Sequence, residues 1–249
     1  MKYSILMPYI RRAGQLHNTL ISFEQHYVSQ KNDFEVIIVE DEKNFLDQRE
    51  HNSLVRILDY FRGWMNIKHL HISNRNQYNP APLFNIAAQE ASGEYFIITN
   101  PECFHQTNIL KGLDEEFNKN PDVYVMCACE SRKGCNHFIA AFDELKGEHH
   151  AWYQHSIHRN AQYHFCSALS KDNWNRIGGF DERFGDGIGY DDDDFRDTVK
   201  HAGITVVTRD DLLTIHIQHE KSDRPPGHRR LLRKNEELYK QNCEDRASC

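Results

Sequence analysis

The sequence predicts an α/β domain built on a mainly parallel, Rossmann-like sheet, and three observations carry that expectation. Over the first ~120 residues, short apolar runs alternate with stretches of helical apolar spacing, the rhythm of repeated β-α units. The run Phe34 to Val39, FEVIIV, reads as a strand buried on both faces, as strands of parallel sheets are. That run ends in Glu40, Asp41 and Glu42, and the run Tyr95 to Ile98 ends in Asn100-Pro101-Glu102. Carboxylates therefore stand beyond strand C-termini, where open α/β sheets bind ligands.

Each element follows in order. Tyr3 to Met7 is a strand stopped by Pro8, and Leu16, Leu20, Ile21 and Phe23 mark the helix behind it. Leu54, Ile57, Leu58 and Phe61 make a second helix, and Ile67 to Ile72 alternates as a strand. Leu83, Ile86, Ala87 and Ala91 make a third helix, ended by Gly93. Beyond Pro121 the rhythm changes. Val123 to Cys129 and Tyr163 to Leu169 are strand-like, whereas 130–160 is polar and His-rich without period, which predicts loops. Ile177-Gly178-Gly179-Phe180 is a tight turn, Gly185, Gly187 and Gly189 form a flexible loop, and Asp191 to Asp194 open a helix reaching about His201. Ile204 to Val207 and Leu212 to Ile217 are two short strands, and Pro225-Pro226 precedes a final charged helix, Arg229 to Gln241. There is no repeat and no clean linker, so one domain over 1–224 with a C-terminal helical appendage over 225–249 is expected.

Composition removes several classes of function. With 249 residues, 39% apolar and 27% charged, the chain can bury a core. Its 37 Asp+Glu exceed its 30 Lys+Arg, a net charge of -7, which argues against a nucleic-acid binder. No stretch reaches the ~18 apolar residues of a membrane span, so neither a transmembrane segment nor a secretion signal is expected. Seven scattered cysteines point to reduced thiols and a cytoplasmic setting.

Among the motifs, Asp41 and Glu102 are each as readily ordinary polar strand ends as site residues, but together with the aspartate run they point to a site. The glycine loop is no phosphate cradle, because four aspartates follow it and would repel a pyrophosphate. Those aspartates suit a first helical turn, yet they repel one another; two are expected in a site and two in solvent, since neighbouring helical positions point about 100° apart. His216 and His219 can share a metal only if the strand ends or turns between them, and either alone is more readily a core or surface residue. Cys127, Cys129 and Cys135 lack zinc-site spacing, and His149, His150, His155 and His158 read as a solvated loop.

In motif order the chain resembles a known family. Pro8-Tyr9-Ile10-Arg11-Arg12, FEVIIVED, LFNIAAQEASGEYFIIT and Asn100-Pro101-Glu102 resemble the nucleotide-binding half of GT-A glycosyltransferases of the family 2 kind. SALSK at Ser167 to Lys171, IGGFDERF, the glycine loop and DDDDF are similar to the C-terminal region of β-1,4-galactosyltransferases. The resemblance runs from Lys2 to Arg224, apart from 130–160, and implies a nucleotide-binding half over 1–120 and an acceptor-binding half over 121–224. By position it implies that Pro8, Arg12, Asp41 and Asn100 hold the nucleotide, with Asp41 at the uracil edge. Asn100 and Glu102 match the outer positions of the DxD metal motif, a departure because Asn100 is neutral. His219 matches a metal-ligating histidine, and His216 falls where a methionine ligand can stand. Asp191 and Asp192 match the acceptor-side acidic pair, with Asp191 on the acceptor and Asp192 the catalytic base.

The resemblance therefore implies an inverting hexosyltransferase of polysaccharide biosynthesis. It would use Mn²⁺ or Mg²⁺ to move a hexose or N-acetylhexosamine from a UDP-sugar to a carbohydrate or glycolipid acceptor, with peripheral membrane contact allowed. The rivals are a nucleotidyltransferase of similar fold, attacking the α-phosphate, and a non-catalytic carbohydrate-binding relative that has lost its metal.

Overall fold

The computed structural model describes residues 1–72, 79–135, 138–140, 143–219 and 225–248. Four strands, β1 (Tyr3–Tyr9), β2 (Phe34–Glu40), β3 (Asn66–His71) and β4 (Tyr95–Thr99), pair in parallel in the order β3-β2-β1-β4. Every residue of β1 and β2 is buried, as FEVIIV predicts for strands covered on both faces. Alternation divides them between two cores: Val36 and Ile38 face one, Ile37 and Val39 the other.

The later strands are β5 (Cys103–His105), β6 (Val123–Lys133), β7 (Glu148–Gln154), β8 (Cys166–Ser170) and β9 (Thr205–His216). β8 runs antiparallel between β4 and β6, β9 pairs parallel with β6, and β5 and β7 add antiparallel to β9 and β6. The sheet is mixed: the expected parallel pairing holds from β3 to β4, and beyond β4 only β6 and β9 keep it. Of the antiparallel pairs, β6 and β7 alone are consecutive in the chain, and the others join strands distant in sequence.

Two other expectations change. The 130–160 segment is not all loop, because β6 continues to Lys133 and β7 lies inside it. The β7 sequence EHHAWYQ starts with three exposed polar residues and pairs along one side only, so no apolar period announces it. The two short strands expected after Ile204 are one, β9, whose register jumps from Arg209 to Leu213 against β6. The charged residues of that irregularity resemble a turn in sequence.

Helices α1 (Ala13–His26), α3 (Gln48–Phe61) and α5 (Ile109–Lys119) cover one face, contributing Leu16, Leu54 and Leu113 to its core. The short α2 (Glu42–Phe45) lies between α1 and α3 in sequence. α4 (Ala81–Gln89), α6 (Lys171–Ile177) and α7 (Asp191–His201) cover the other face through Phe84, Trp174 and Phe195. The last helix, α8 (His228–Ala247), packs on α7 and on the glycine loop. Its buried Asn235 donates from Nδ2 to the carbonyls of Phe184 (3.0 Å) and Gly189 (2.8 Å). Position 187 must be glycine for this fit, since a Cβ there would lie 2.0 Å from Asn235 Oδ1. The boundary drawn at 224 falls in 220–224, outside the described residues. No described helix is long and apolar enough to cross a membrane.

Candidate active site

The C-terminal ends of β1, β2 and β4 open onto a cleft of about 190 Å³ lined by Pro8, Tyr9, Arg12, Asp41, Asn79, Asn100 and Glu102, among others. The chain builds its rim with some strain. Arg11 is held in the left-handed region (φ 47) while its N–H donates to Asn44 Oδ1 at 2.9 Å, which directs the chain into α1 at Arg12. Asp41 follows the last residue of β2 and accepts the Lys43 N–H at 2.9 Å, capping α2. The four residues expected to hold a nucleotide, Pro8, Arg12, Asp41 and Asn100, all line this one cleft.

Glu102 lies at the same cleft, and sheet register brings the histidines to it. Cys103 pairs opposite His216 across β5 and β9, and β9 ends there, as a shared site requires. The chain turns after the Ile217 N–H donates to the Glu102 carbonyl at 2.7 Å, and this brings His219 back beside His216. The Nε2 atoms of His216 and His219 lie 3.9 and 3.8 Å from Glu102 Oε1. These separations are too long for hydrogen bonds but near the spacing of atoms sharing one ion. All three candidate ligand atoms fall within 4.8 Å of one another, so the residues fit a divalent cation. Burial raises the Glu102 pKa against the pull of Arg12 and His219. Burial, with His219 and Arg12 nearby, pushes His216 down to about 4, so its imidazole is neutral and can ligate. Its Nδ1 is buried without a partner among the described residues, so it lacks the outer hydrogen bond that usually orients a ligating histidine.

A second cleft of about 230 Å³ abuts the first and shares Asn79, Pro80 and Asn100 with it; its other walls include Tyr163, His164, Phe165, Gly189, Asp191 and Asp192. Tyr190 enters α7 in the left-handed region (φ 64), a second strained non-glycine residue at the site. Asp191 is buried, and its Oδ1 accepts from Asn79 Nδ2 at 2.7 Å. Burial, then the charge of Asp192, raises its pKa to about 6. Asp192 Oδ1 lies 2.7 Å from His164 Nδ1 and accepts the His164 backbone N–H at 3.3 Å. Burial alone would raise the Asp192 pKa, but the charge and hydrogen bonds of His164, helped by Arg196, bring it below the ordinary carboxylate range. Burial likewise works to lower the His164 pKa, and Asp192 outweighs it, so that pKa is raised. A contact of 2.7 Å is a hydrogen bond and leaves no room for an ion between these two groups.

The remaining aspartates do not both face solvent. Asp193 pairs with Arg196 at 3.0 Å, whereas Asp194 is buried against Arg246 (2.9 Å) and Asn242 (3.0 Å) of α8. Nothing in the sequence marks His164 or Asn79, because each is a lone polar residue that only the fold brings to the aspartates.

The family model of glycosyl transferase family 2 matches residues 4–175, and the model described as the N-terminal domain of galactosyltransferase matches 155–221. Among solved structures, S. aureus TarS 1-349 in complex with UDP-GlcNAc aligns with a TM-score of 0.68 at 14% identity, covering 89% of this chain and 60% of that one. The mannosyltransferase PcManGT from Pyrobaculum calidifontis, in complex with GDP-Man and Mn2+, aligns at 0.64 and 13% identity, covering 92% and 60%. The chain thus spans about three fifths of the length of these structures, and at such identities they bear on the fold alone. No curated protein matches it in sequence. With the first of these models covering more than half of its length, the chain belongs to glycosyl transferase family 2.

Proposed function

We propose that the protein is an inverting transferase that moves a hexose or N-acetylhexosamine from a UDP-sugar to a carbohydrate or glycolipid acceptor. One observation carries this reading: two clefts share the wall Asn79, Pro80 and Asn100, one with the Glu102–His216–His219 cluster at its edge and the other with a hydrogen-bonded carboxylate. The first suits a sugar nucleotide, and the second an acceptor hydroxyl. S. aureus TarS with UDP-GlcNAc supports a uridine donor on the same fold, and PcManGT with GDP-Man and Mn2+ supports a divalent cation.

In this mechanism Asp41 accepts a hydrogen bond from the uracil edge, and Arg12 places positive charge beside the diphosphate. Asp192 takes the proton of the acceptor hydroxyl, whose oxygen forms the new bond to the anomeric carbon. The bond from that carbon to the diphosphate oxygen breaks, and its electron pair leaves with UDP. Glu102, His219 and His216 would hold a divalent cation, which when bound supplies charge stabilisation to the departing diphosphate. Asp191, tied to Asn79, positions the acceptor. Asn100 stands where the metal motif has its first carboxylate, and imidazoles at both His216 and His219 would offset that loss. The thiols of the described cysteines are free, in keeping with a reducing compartment such as the cytoplasm.

The test is a thermal-shift screen of UDP- and GDP-sugars with and without Mn²⁺, followed by turnover. A true donor stabilises the fold by mass action, by about 2.7 kcal/mol at a hundredfold excess over Kd, and so raises Tm. Asp192→Asn should keep that shift and lose at least ~10²-fold in transfer. Stabilisation by no sugar nucleotide, or full transfer by Asp192→Asn, overturns the reading.

A further inference from the structure

The 163–165 segment leads into β8 and places one histidine against the aspartate that the mechanism uses as base. His164 is 5% exposed, and its ring is walled by Phe84, Phe180 and Phe195, with centroids at 5.6, 4.9 and 6.1 Å and steep interplanar angles. A ring held by three others has little rotational freedom, so the direction of its Nδ1 is set by packing. Both of its contacts with Asp192, from Nδ1 at 2.7 Å and from the backbone N–H at 3.3 Å, fall on the same oxygen, Oδ1. Neither contact uses Oδ2, and Asp192 lines the acceptor cleft.

We propose that His164 is the positioning residue of the base: it clamps Oδ1 of Asp192 so that Oδ2 meets the acceptor hydroxyl. This rests on the reading of Asp192 as base. The proton of the acceptor goes to Oδ2, while Nδ1–H stays with His164 throughout, so the imidazole touches no reacting atom. General base catalysis depends on geometry first, and a displacement of about 1 Å can cost 10²-fold. The ionic surroundings favour the same arrangement. His164 faces Asp192 and, farther off, Asp191; Asp192 faces His164, Arg196 and Asp191, and the hydroxyls of Tyr124 and Tyr163 sense its charge. Arg196 is itself engaged by Asp193 and Asp197, so His164 is the donor in direct contact with the base.

The experiment compares His164→Phe, His164→Asn and Asp192→Asn in the full chain, after thermal melts show each to be folded. The first readout needs no turnover. In ¹⁵N-histidine spectra the His164 ring should titrate at a higher pH in the wild type than in Asp192→Asn, and equal titration overturns the pairing. The second readout is hydrolysis of UDP-GlcNAc, with water in place of the acceptor. His164→Phe should lower kcat at least ~10-fold with KM unchanged and move the acid limb of the kcat profile to higher pH, because a buried carboxylate loses its donor. His164→Asn, whose Nδ2 can take the place of Nδ1–H but carries no charge, should restore most of the rate while the acid limb returns only part of the way. If Asp192→Asn abolishes hydrolysis while His164→Phe keeps both kcat and pH profile, the positioning role is wrong and the base stands. If Asp192→Asn hydrolyses UDP-GlcNAc as the wild type does, the base reading itself is wrong.

Discussion

Replacing Asp41 by alanine separates recognition of the base from recognition of the phosphates. Asp41 is 6% exposed, lines the cleft proposed to take the donor, and already accepts the Lys43 N–H at 2.9 Å. The substitution therefore has two costs. Loss of the cap on α2 removes about 0.5–2 kcal/mol of folding stability. Loss of a charged hydrogen bond to the uracil edge removes about 1.5–3 kcal/mol of nucleotide binding, which at 1.4 kcal/mol per tenfold weakens UDP by roughly 10- to 150-fold. Calorimetric titration with UDP measures the second cost, and urea denaturation of the same samples measures the first. Asp41→Asn keeps an oxygen for both N–H groups and loses only the charge, so its effect should lie at the low end. Pyrophosphate, which has no base, should bind all three proteins alike. An unchanged UDP affinity in folded Asp41→Ala, or an equal loss for pyrophosphate, would refute the placement of Asp41 at the uracil edge.

Further outcomes are expected elsewhere. Glu102→Ala and His219→Ala should each abolish Mn²⁺-stimulated donor turnover, whereas His216→Ala, whose ring lacks an outer hydrogen bond at Nδ1, should be milder; full wild-type activity in EDTA would refute the site. Asp191 has a folded pKa raised to about 6, so the stability linked to its protonation is fully present below the unfolded value near ~3.9 and is lost as pH rises through about 6. Asp191→Asn, which still accepts from Asn79, should accordingly melt higher than the wild type at pH ~7.5 and no higher at pH ~4, a difference that paired melts would reveal. Asp194→Ala strands Arg246 at the α7–α8 contact and should cost about 3 kcal/mol in urea denaturation; an unchanged midpoint would show that this pair does not hold α8 in place.

What the sequence determines by itself is local. Strands covered on both faces are nearly continuous in apolar residues, and β3 alternates, so FEVIIV and the first four strands with their long helices are legible from apolar patterning. The carboxylates at strand ends are legible for the same reason, because chain direction places them at one edge of a parallel sheet. Polar strands are not: β7 buries little on either side of its pairing, and β9 carries charged residues at its register jump, so neither has the period a reader can follow. The partners within the site depend on tertiary structure, since the energies that select them arise only on burial. Asp191 meets Asn79 from 112 positions away, and Asp192 meets His164 from 28. The β5–β9 register sets His216 beside Glu102, although strand alternation alone would turn His216 and His219 apart. The aspartate run shows the division most plainly. Four identical residues at the start of one helix have no individual roles in sequence; a 100° step per residue leaves Asp193 to Arg196 of the same helix, and sends Asp191, Asp192 and Asp194 to Asn79, His164 and α8 only once the fold packs these around α7.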